Sequence, residues 1–163
     1  GSSATGTRTV EVQVRDNAGN VRTASDTIYY YAEVQYFGNA CAGSAGIPLL
    51  NVSGVPGAGR TVTLATLNTA APAQALYFGL SNTNWLGIPL PLDLGLLGVS
   101  GCFVNISLDI PLGTGPVAPV AIPIPSDPLA IGAVTYYQNL LFGDPSGKLV
   151  VSTRGAEITV SGF

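Results

Sequence analysis

The chain has 163 residues, of which 47% are hydrophobic and only 9% are charged, and its formal net charge is −3. High hydrophobicity with little charge excludes an intrinsically disordered chain, and six dispersed Lys and Arg residues exclude a nucleic-acid-binding protein. The most apolar window, residues 86–99, is interrupted by glycines, prolines and Asp93, so it predicts no membrane-spanning helix.

Residues 1–35 predict an N-terminal β-hairpin extension. Apolar and polar side chains alternate in residues 7–14, a pattern typical of a half-buried strand. The next segment, 15–20, is rich in Asp, Asn and Gly, which favour a tight turn, and residues 21–34 predict the second strand. An isolated hairpin is marginally stable in water, so this one needs a partner sheet.

Two groups of side chains would mediate assembly of this hairpin. One face of its first strand carries valines, namely Val10, Val12 and Val14. The end of its second strand carries apolar and aromatic residues on both faces, namely Ile28, Tyr29, Tyr30 and Tyr31. Packing against one sheet buries a single face, so we expect the other face to meet a partner chain or, at a cost, solvent.

The hairpin resembles the last two strands of the immunoglobulin-like domains that are common in bacterial surface proteins. The matching segments are residues 9–14, 16–20 and 23–28. The strands that precede this pair in such a domain do not occur in the chain. The resemblance therefore implies a strand pair, with no activity of its own, that packs on the rest of the chain or on another molecule.

Residues 36–163 predict an antiparallel β-sandwich of the jelly-roll or immunoglobulin-like type. Strand-like segments recur at the spacing expected of an all-β domain, and 12 prolines interrupt nearly every helical pattern. The predicted strands are 47–53, 60–68, 74–80, 102–108, 117–122, 135–142, 148–152 and 156–160.

The only two cysteines, Cys41 and Cys102, lie in Gly-rich turns and not in a CxxC arrangement, which favours a disulfide between them. Two separately buried thiols are the alternative. A bridge would indicate an oxidising compartment and hence an extracellular or cell-surface location. It would also pin segment 36–50, which we interpret as a hinge that is flexible through its glycines, Gly38, Gly43 and Gly46.

Residues 36–160 resemble a module found at the C-terminal end of secreted, multi-domain bacterial proteins. The family has no assigned reaction and usually follows other β domains, so the resemblance implies a structural or attachment role. The pieces that carry it occur in order: Tyr36, Gly38, Cys41, Gly43, Gly46, residues 78–81 and 88–94, Gly101, Cys102, Ile131, Gly132, Gln138, Asp144 and residues 157–160.

Catalytic and cofactor sites are not predicted. Segment 143–149 has the wrong glycine spacing for a phosphate loop, and a strand-like segment follows it instead of a helix. The chain has no histidine and no GxSxG motif, so no base is evident for a serine nucleophile. The acidic residues of the module are interpreted as turn residues and not as a glycosidase pair: Asp93, Asp109, Asp127, Asp144 and Glu157.

Neither a calcium site nor an isopeptide bond is predicted, and no metal is expected. A calcium site at Asp16, Asn17 and Asn20 is unnecessary, because a short turn explains these residues. An isopeptide bond would need Lys148, the only lysine, and its position beside a Gly turn indicates exposure.

Trp85, the only tryptophan, is the one residue that indicates a ligand. Its neighbours Asn82, Thr83 and Asn84 could hydrogen-bond a sugar that stacks on its ring. The alternative, which the apolar residues directly after it favour, is a tryptophan that caps one end of the sandwich core.

Two functions follow from these patterns. The first is a non-catalytic extracellular structural protein, a subunit of a surface fibre or filament, in which the N-terminal hairpin adds as a donor strand to the sheet of a neighbouring copy. The alternative is a monomeric glycan- or cell-wall-binding attachment module of a secreted protein, which would use Trp85, Asn82 and Asn84. The expected partners are copies of the chain itself or a surface polysaccharide.

Overall fold

The fold of the chain is all-β, as predicted from the sequence, and each pair of named strands is antiparallel. The computed structural model describes residues 6–30 and 34–162. The chain divides into two compact units, Gly1–Ala32 and Glu33–Phe163. The sequence-based boundary lies nearby, between residues 35 and 36.

The first unit contains a β-hairpin of β1, Gly6–Arg15, and β2, Val21–Tyr30. Its turn is organised by Asp16, whose Oδ1 accepts hydrogen bonds from the backbone N–H groups of Ala18 and Asn20, both at 2.9 Å. Gly19 adopts a φ of 92°, which its lack of a side chain permits. Hydrogen bonds from Asn20 lower the pKa of Asp16, so the turn holds this group as a carboxylate.

Within residues 34–162, the second unit contains thirteen strands and two short 3₁₀ turns, Leu94–Leu97 and Pro128–Ala130. In chain order the strands are β3 Val34–Phe37, β4 Leu49–Ser53, β5 Thr61–Leu67, β6 Ala73–Gly79, β7 Asn84–Trp85, β8 Ile88–Pro89, β9 Leu92–Asp93, β10 Phe103–Val104, β11 Ile110–Pro116, β12 Val120–Pro123, β13 Val134–Phe142, β14 Val151–Ser152 and β15 Gly155–Thr159.

Two sheets dominate the second unit. The larger has the order β11-β6-β13-β15-β3, with β14 also paired to β13, and the smaller has the order β12-β5-β4. Two short strand pairs, β7-β8 and β9-β10, lie in the connection that follows β6.

Apolar side chains from both sheets form a common core cluster, an arrangement consistent with the predicted sandwich. Leu64 of β5, Leu76 of β6 and Ile158 of β15 are each about 1% exposed and belong to this cluster. Fully burying one such side chain stabilises a fold by about 1.5–3 kcal/mol. A second cluster surrounds Cys41 and Cys102.

The structure corrects some of the predicted strands. Segment 102–108 pairs as a strand only at Phe103–Val104, because the Asn105 N–H donates to the Gln138 side chain, at 2.7 Å, instead of to a neighbouring strand. Strand β11 was missed, since its two prolines and two glycines resemble a loop; it lies at a sheet edge, where proline is tolerated. The second hairpin strand was expected to reach residue 34, but Val34 begins β3, which pairs with β15.

Candidate functional site

Cys41 and Cys102 form the predicted disulfide, with an S–S distance of 2.03 Å, so the interpretation as separate thiols is wrong. Both residues are almost fully buried. The bridge joins residues 61 positions apart, and in the chain-entropy account a loop of that length corresponds to about 4 kcal/mol.

Segment 36–50, predicted to be a hinge, is fastened along its length. The Cys41 N–H donates to the Ser152 carbonyl at 3.0 Å. The Asn105 side chain bonds the backbone of Asn39 twice, accepting from its N–H at 3.2 Å and donating to its carbonyl at 2.9 Å. Gly38 adopts a φ of 68° directly against Asn105, where a Cβ would overlap the amide. Gly38 therefore permits a close approach to Asn105, and hydrogen bonds from residues 39 and 41 hold the segment to the rest of its unit.

Asp144 anchors the turn that superficially resembles a phosphate loop. Its carboxylate accepts hydrogen bonds from the Ser44 N–H and the Ser146 N–H, each at 2.8 Å, and from the Ser44 hydroxyl at 3.2 Å. These bonds, above all those from Ser146, lower the pKa of Asp144 to about 2. The residue is only 5% exposed, so its role is to join two loops.

Three other carboxylates of the second unit have similar structural roles. Asp93 and Asp127 precede the two 3₁₀ turns, and their side chains accept hydrogen bonds from the N–H groups of Gly95 and Leu129, the second residue of each turn. Asp109 Oδ2 accepts from the Leu80 N–H at 2.8 Å and from the Ser107 hydroxyl at 2.7 Å. Within residues 6–30 and 34–162, no group of three or more His, Cys, Asp or Glu side chains could hold a metal ion.

A buried polar network that the sequence analysis missed lies beneath these loops. Gln138 is fully buried; its oxygen accepts from the Asn105 N–H, and its amide donates to the carbonyls of Phe103 and Thr153 at 2.9 and 2.8 Å. Asn139, next to it, is also buried, and its Oδ1 has no hydrogen-bond partner in the described residues. Two adjacent amides in an otherwise apolar strand were the sequence signal for this network.

Trp85 lies in β7, which forms a small hairpin with β8. The two loop residues, Leu86 and Gly87, have φ values of 51° and 86°, the sign pattern of a type I′ turn. Trp85 is half-buried, whereas Leu86 is 86% exposed. In the described part of the chain, Trp85 is not among the side chains packed on the two core clusters.

The polar neighbours of Trp85 are largely used within the loop. Asn84 Oδ1 accepts a hydrogen bond from the Gly87 N–H at 3.0 Å, and the Ser81 hydroxyl accepts from the N–H groups of Thr83 and Asn84, both at 3.1 Å. Asn82 is half-buried. The Asn84 oxygen therefore closes the turn, and Leu86, which directly follows Trp85, presents an exposed side chain that cannot hydrogen-bond a sugar.

An open apolar cleft of about 280 Å³ lies between the two main sheets. The smaller sheet contributes Val62 and Ile122 to its lining, and the larger contributes Phe78, Ile110 and Leu112. Ile110 is 50% exposed, which places it where solvent reaches the cleft. No charged side chain lines the cleft among the described residues.

A second cavity, of about 240 Å³, lies where β3 approaches β4. Tyr36, one of its lining residues, accepts a hydrogen bond from the Val52 N–H at 3.2 Å and so links these two strands. Arg154 also lines this cavity, and its Nε donates to the Gly38 carbonyl at 3.1 Å. The remaining lining is mainly leucine and proline, which gives the cavity one cationic group.

The predicted assembly residues occupy the hairpin of the first unit. The register pairs Val10 with Asp26, Val12 with Ala24 and Val14 with Arg22, so the valines share one face. Val10, Val12 and Val14 are 44%, 54% and 64% exposed. For Ile28, Tyr29 and Tyr30 the structure describes the backbone pairing alone, and Tyr31 lies outside the described residues.

Comparison with known proteins assigns no family to this chain. No family model matches it, and neither the curated proteins nor the solved structures contain a match. The described residues include no helix that is both long and apolar enough to cross a membrane.

Proposed function

We propose that this protein is a non-catalytic, extracellular structural subunit, in which the hairpin of one copy adds to a β-sheet of another copy and so builds a surface fibre. The observation that carries the proposal is the exposed valine face of the β1-β2 hairpin. The resemblance of the second unit to a module without an assigned reaction supports the absence of catalysis.

The hairpin is a sheet of two strands of ten residues each. In the described structure β1 and β2 pair only with each other, and all side chains from residue 9 to residue 27 are exposed. Unpaired strand edges are templates for pairing with another chain, and a two-stranded sheet is marginally stable alone. Addition to a sheet of a second copy would satisfy an edge and cover the valines together.

The composition and the disulfide favour the same function. Only 9% of the residues are charged, so little electrostatic repulsion opposes association. A buried disulfide fits a protein that works in an oxidising, extracellular compartment. A contact between two different surfaces of the same chain propagates into filaments when its rotation does not close a ring.

The test compares Val12→Glu with Gln13→Glu, which place the same carboxylate on opposite faces of β1. Sedimentation velocity over a range of concentrations, with negative-stain imaging, would show polymers for the wild type and for Gln13→Glu. Val12→Glu would remain monomeric, because a buried unpaired carboxylate is strongly unfavourable. A wild-type chain that stays monomeric at all concentrations would contradict the proposal.

A further inference from the structure

The cavity where β3 approaches β4 has a lining that is mostly apolar and extends from the core to solvent. Pro48 and Leu50 line it and are buried, whereas Leu49 and Leu67 line it and are 46% and 48% exposed. Its volume is about 240 Å³. An apolar cavity of about 150 Å³ is large enough to bind benzene in another protein, so this one has room for a compact apolar group.

Tyr36 supplies this cavity with a hydrogen-bond donor that the fold does not use. Its hydroxyl oxygen accepts from the Val52 N–H at 3.2 Å, which fixes the position of the ring. A phenolic hydroxyl can donate as well as accept, and in the described residues that of Tyr36 donates to no protein group. Its O–H is therefore available to an acceptor in the cavity.

Arg154 supplies the cavity with a cation that is held in place but not neutralised. Its Nε–H donates to the Gly38 carbonyl at 3.1 Å, so the terminal N–H groups of the guanidinium remain for a ligand. These groups form the planar fork that binds a carboxylate through two parallel hydrogen bonds. No acidic side chain lines the cavity, and within residues 6–30 and 34–162 Arg154 forms no ion pair.

We propose that this cavity binds a small amphipathic carboxylate, an organic acid with one compact apolar group. The carboxylate accepts hydrogen bonds from Arg154 and Tyr36, and the apolar group packs against Leu49 and Leu67. Both donors are already held by hydrogen bonds to the backbone, so binding immobilises little that is not ordered beforehand. The site belongs to the second unit alone and does not depend on self-assembly.

Other classes of ligand match the lining less well. Inorganic phosphate would pair with Arg154 but leave the leucines in water, and a neutral apolar molecule would bury the donors without an acceptor. A cation would be repelled by Arg154. The larger cleft between the two main sheets has no charged lining residue among those described, so it gives no comparable indication of its ligand.

The first test titrates the full chain, labelled with ¹⁵N, with 3-phenylpropanoate and follows the amide resonances. We expect a dissociation constant of about 1 mM or below, with shifts centred on residues 36, 49–51, 67 and 154. The alcohol 3-phenylpropan-1-ol has the same apolar group without the charge and should bind at least about tenfold more weakly. Equal binding of acid and alcohol, shifts elsewhere in the chain, or no binding would overturn the inference.

Variants separate the cation of this site from cationic charge in general. Arg154→Leu should weaken binding of the acid by about tenfold or more, while leaving the weak binding of the alcohol unchanged. Arg60→Leu removes another exposed arginine of the same unit that does not line the cavity, and should bind the acid like the wild type. Equal affinities for Arg154→Leu and Arg60→Leu would contradict the assigned role of Arg154.

A second variant keeps the test decisive if Arg154→Leu does not fold. Leu67→Asp places a carboxylate in the cavity at a half-exposed position and should abolish binding of the acid by repulsion. Leu149→Asp, at a leucine that is 69% exposed and lies outside the cavity, is its control and should bind normally. Binding retained by Leu67→Asp would overturn the inference.

Two further measurements identify the source of the carboxylate and separate this site from fibre assembly. Acetyl-Gly-Leu presents the same chemistry at the end of a peptide; if it binds more tightly than the free acid, the site recognises chain ends and the small-acid proposal is wrong. Repeating the titration on Val12→Glu, which lies in the first unit, should give the wild-type affinity whether or not the wild type forms fibres. Loss of binding in Val12→Glu would contradict a site confined to the second unit.

Discussion

Asp144 accepts a hydrogen bond from the backbone N–H of Ser44 at 2.8 Å, across 100 positions of sequence. The contact joins the turn after β13 to the loop that contains Cys41. Gly43 is part of the same contact, because a Cβ there would lie 2.7 Å from the carboxylate. The Asp144 carboxylate therefore holds in place a loop whose glycine content alone predicts flexibility.

The stability of the second unit should depend on pH through Asp144. Its pKa in the folded chain is about 2, below its ordinary value of 3.8, so its contribution is complete above about pH 4 and is lost as the pH falls through 2. Thermal unfolding between pH 2 and 6 should show a wild-type advantage over Asp144→Asn at pH 6 that shrinks toward pH 2. A constant difference over this range would show that the carboxylate charge is not involved.

Gly38→Ala should destabilise the second unit more than Gly132→Ala does. Both glycines have positive φ, which costs an alanine about 1–2 kcal/mol, but only at Gly38 would the new Cβ overlap Asn105. Gly132 has open space around it. Urea unfolding measures the loss of unfolding free energy in each variant, and the difference between the two losses is the cost of the overlap. Equal losses would mean that Asn105 moves aside without cost.

Replacing Gln138 by leucine should cost about 3 kcal/mol or more, because it leaves an N–H and two carbonyls in the loops around it without partners. Gln13→Leu, at an exposed position of β1, is the matched control and should change stability little. Chemical denaturation with tryptophan fluorescence, which reports on the second unit, measures both. A Gln138→Leu chain as stable as the wild type would show that water replaces the lost partners.

Leu86→Asn should raise the free energy of unfolding by about 1 kcal/mol, because asparagine relieves the left-handed strain at this position. Gly87→Ala, in the same loop at a φ of 86°, should lower it. Thermal unfolding at a concentration below assembly separates this effect from self-association. A Leu86→Asn chain less stable than the wild type would mean that Leu86 packs within its own unit.

Removing the disulfide by Cys41→Ala with Cys102→Ala should cost up to about 4 kcal/mol, the value for a loop of 61 positions in the chain-entropy account. Urea unfolding of the wild type and of the double variant, both without reductant, measures this loss. A loss below about 1 kcal/mol would show that the buried loops around the cysteines retain their structure without the bridge.

Periodicity and composition were sufficient to predict the regular strands and the disulfide. Alternation in residues 7–14 predicted β1, and long β-branched or aromatic runs predicted β5, β6 and β13. In β5 the side-chain pattern and the burial pattern coincide, because two-fold alternation is itself a consequence of a sheet with a buried face. In β1 the alternation predicted the strand but not its burial, since the side chains of residues 9–15 are all exposed and the half-buried strand predicted there is not observed.

The features that the sequence did not predict depend on contacts between residues that are distant in sequence, which local patterns do not encode. Segment 102–108 has the composition of a strand, yet Asn105 bonds the Gln138 side chain and the Asn39 backbone. The φ of Leu86 follows from a turn that normally carries asparagine, so nothing local predicted it. The apolar cleft is formed by residues from six strands and from the segments that follow them, and therefore has no sequence signature.

The pairing of β3 with β15 determines how the second unit would respond to tension. The two strands are antiparallel, with Val34 beside Ile158, so the chain enters β3 and leaves β15 at the same end of the pair. A force applied to the chain on both sides would open these pairs one after another, beginning at Val34, instead of loading them together. Beyond β3, the disulfide would keep the residues between Cys41 and Cys102 from extending. In the proposed fibre, a load would open this unit first at one edge, and the disulfide would then limit further lengthening.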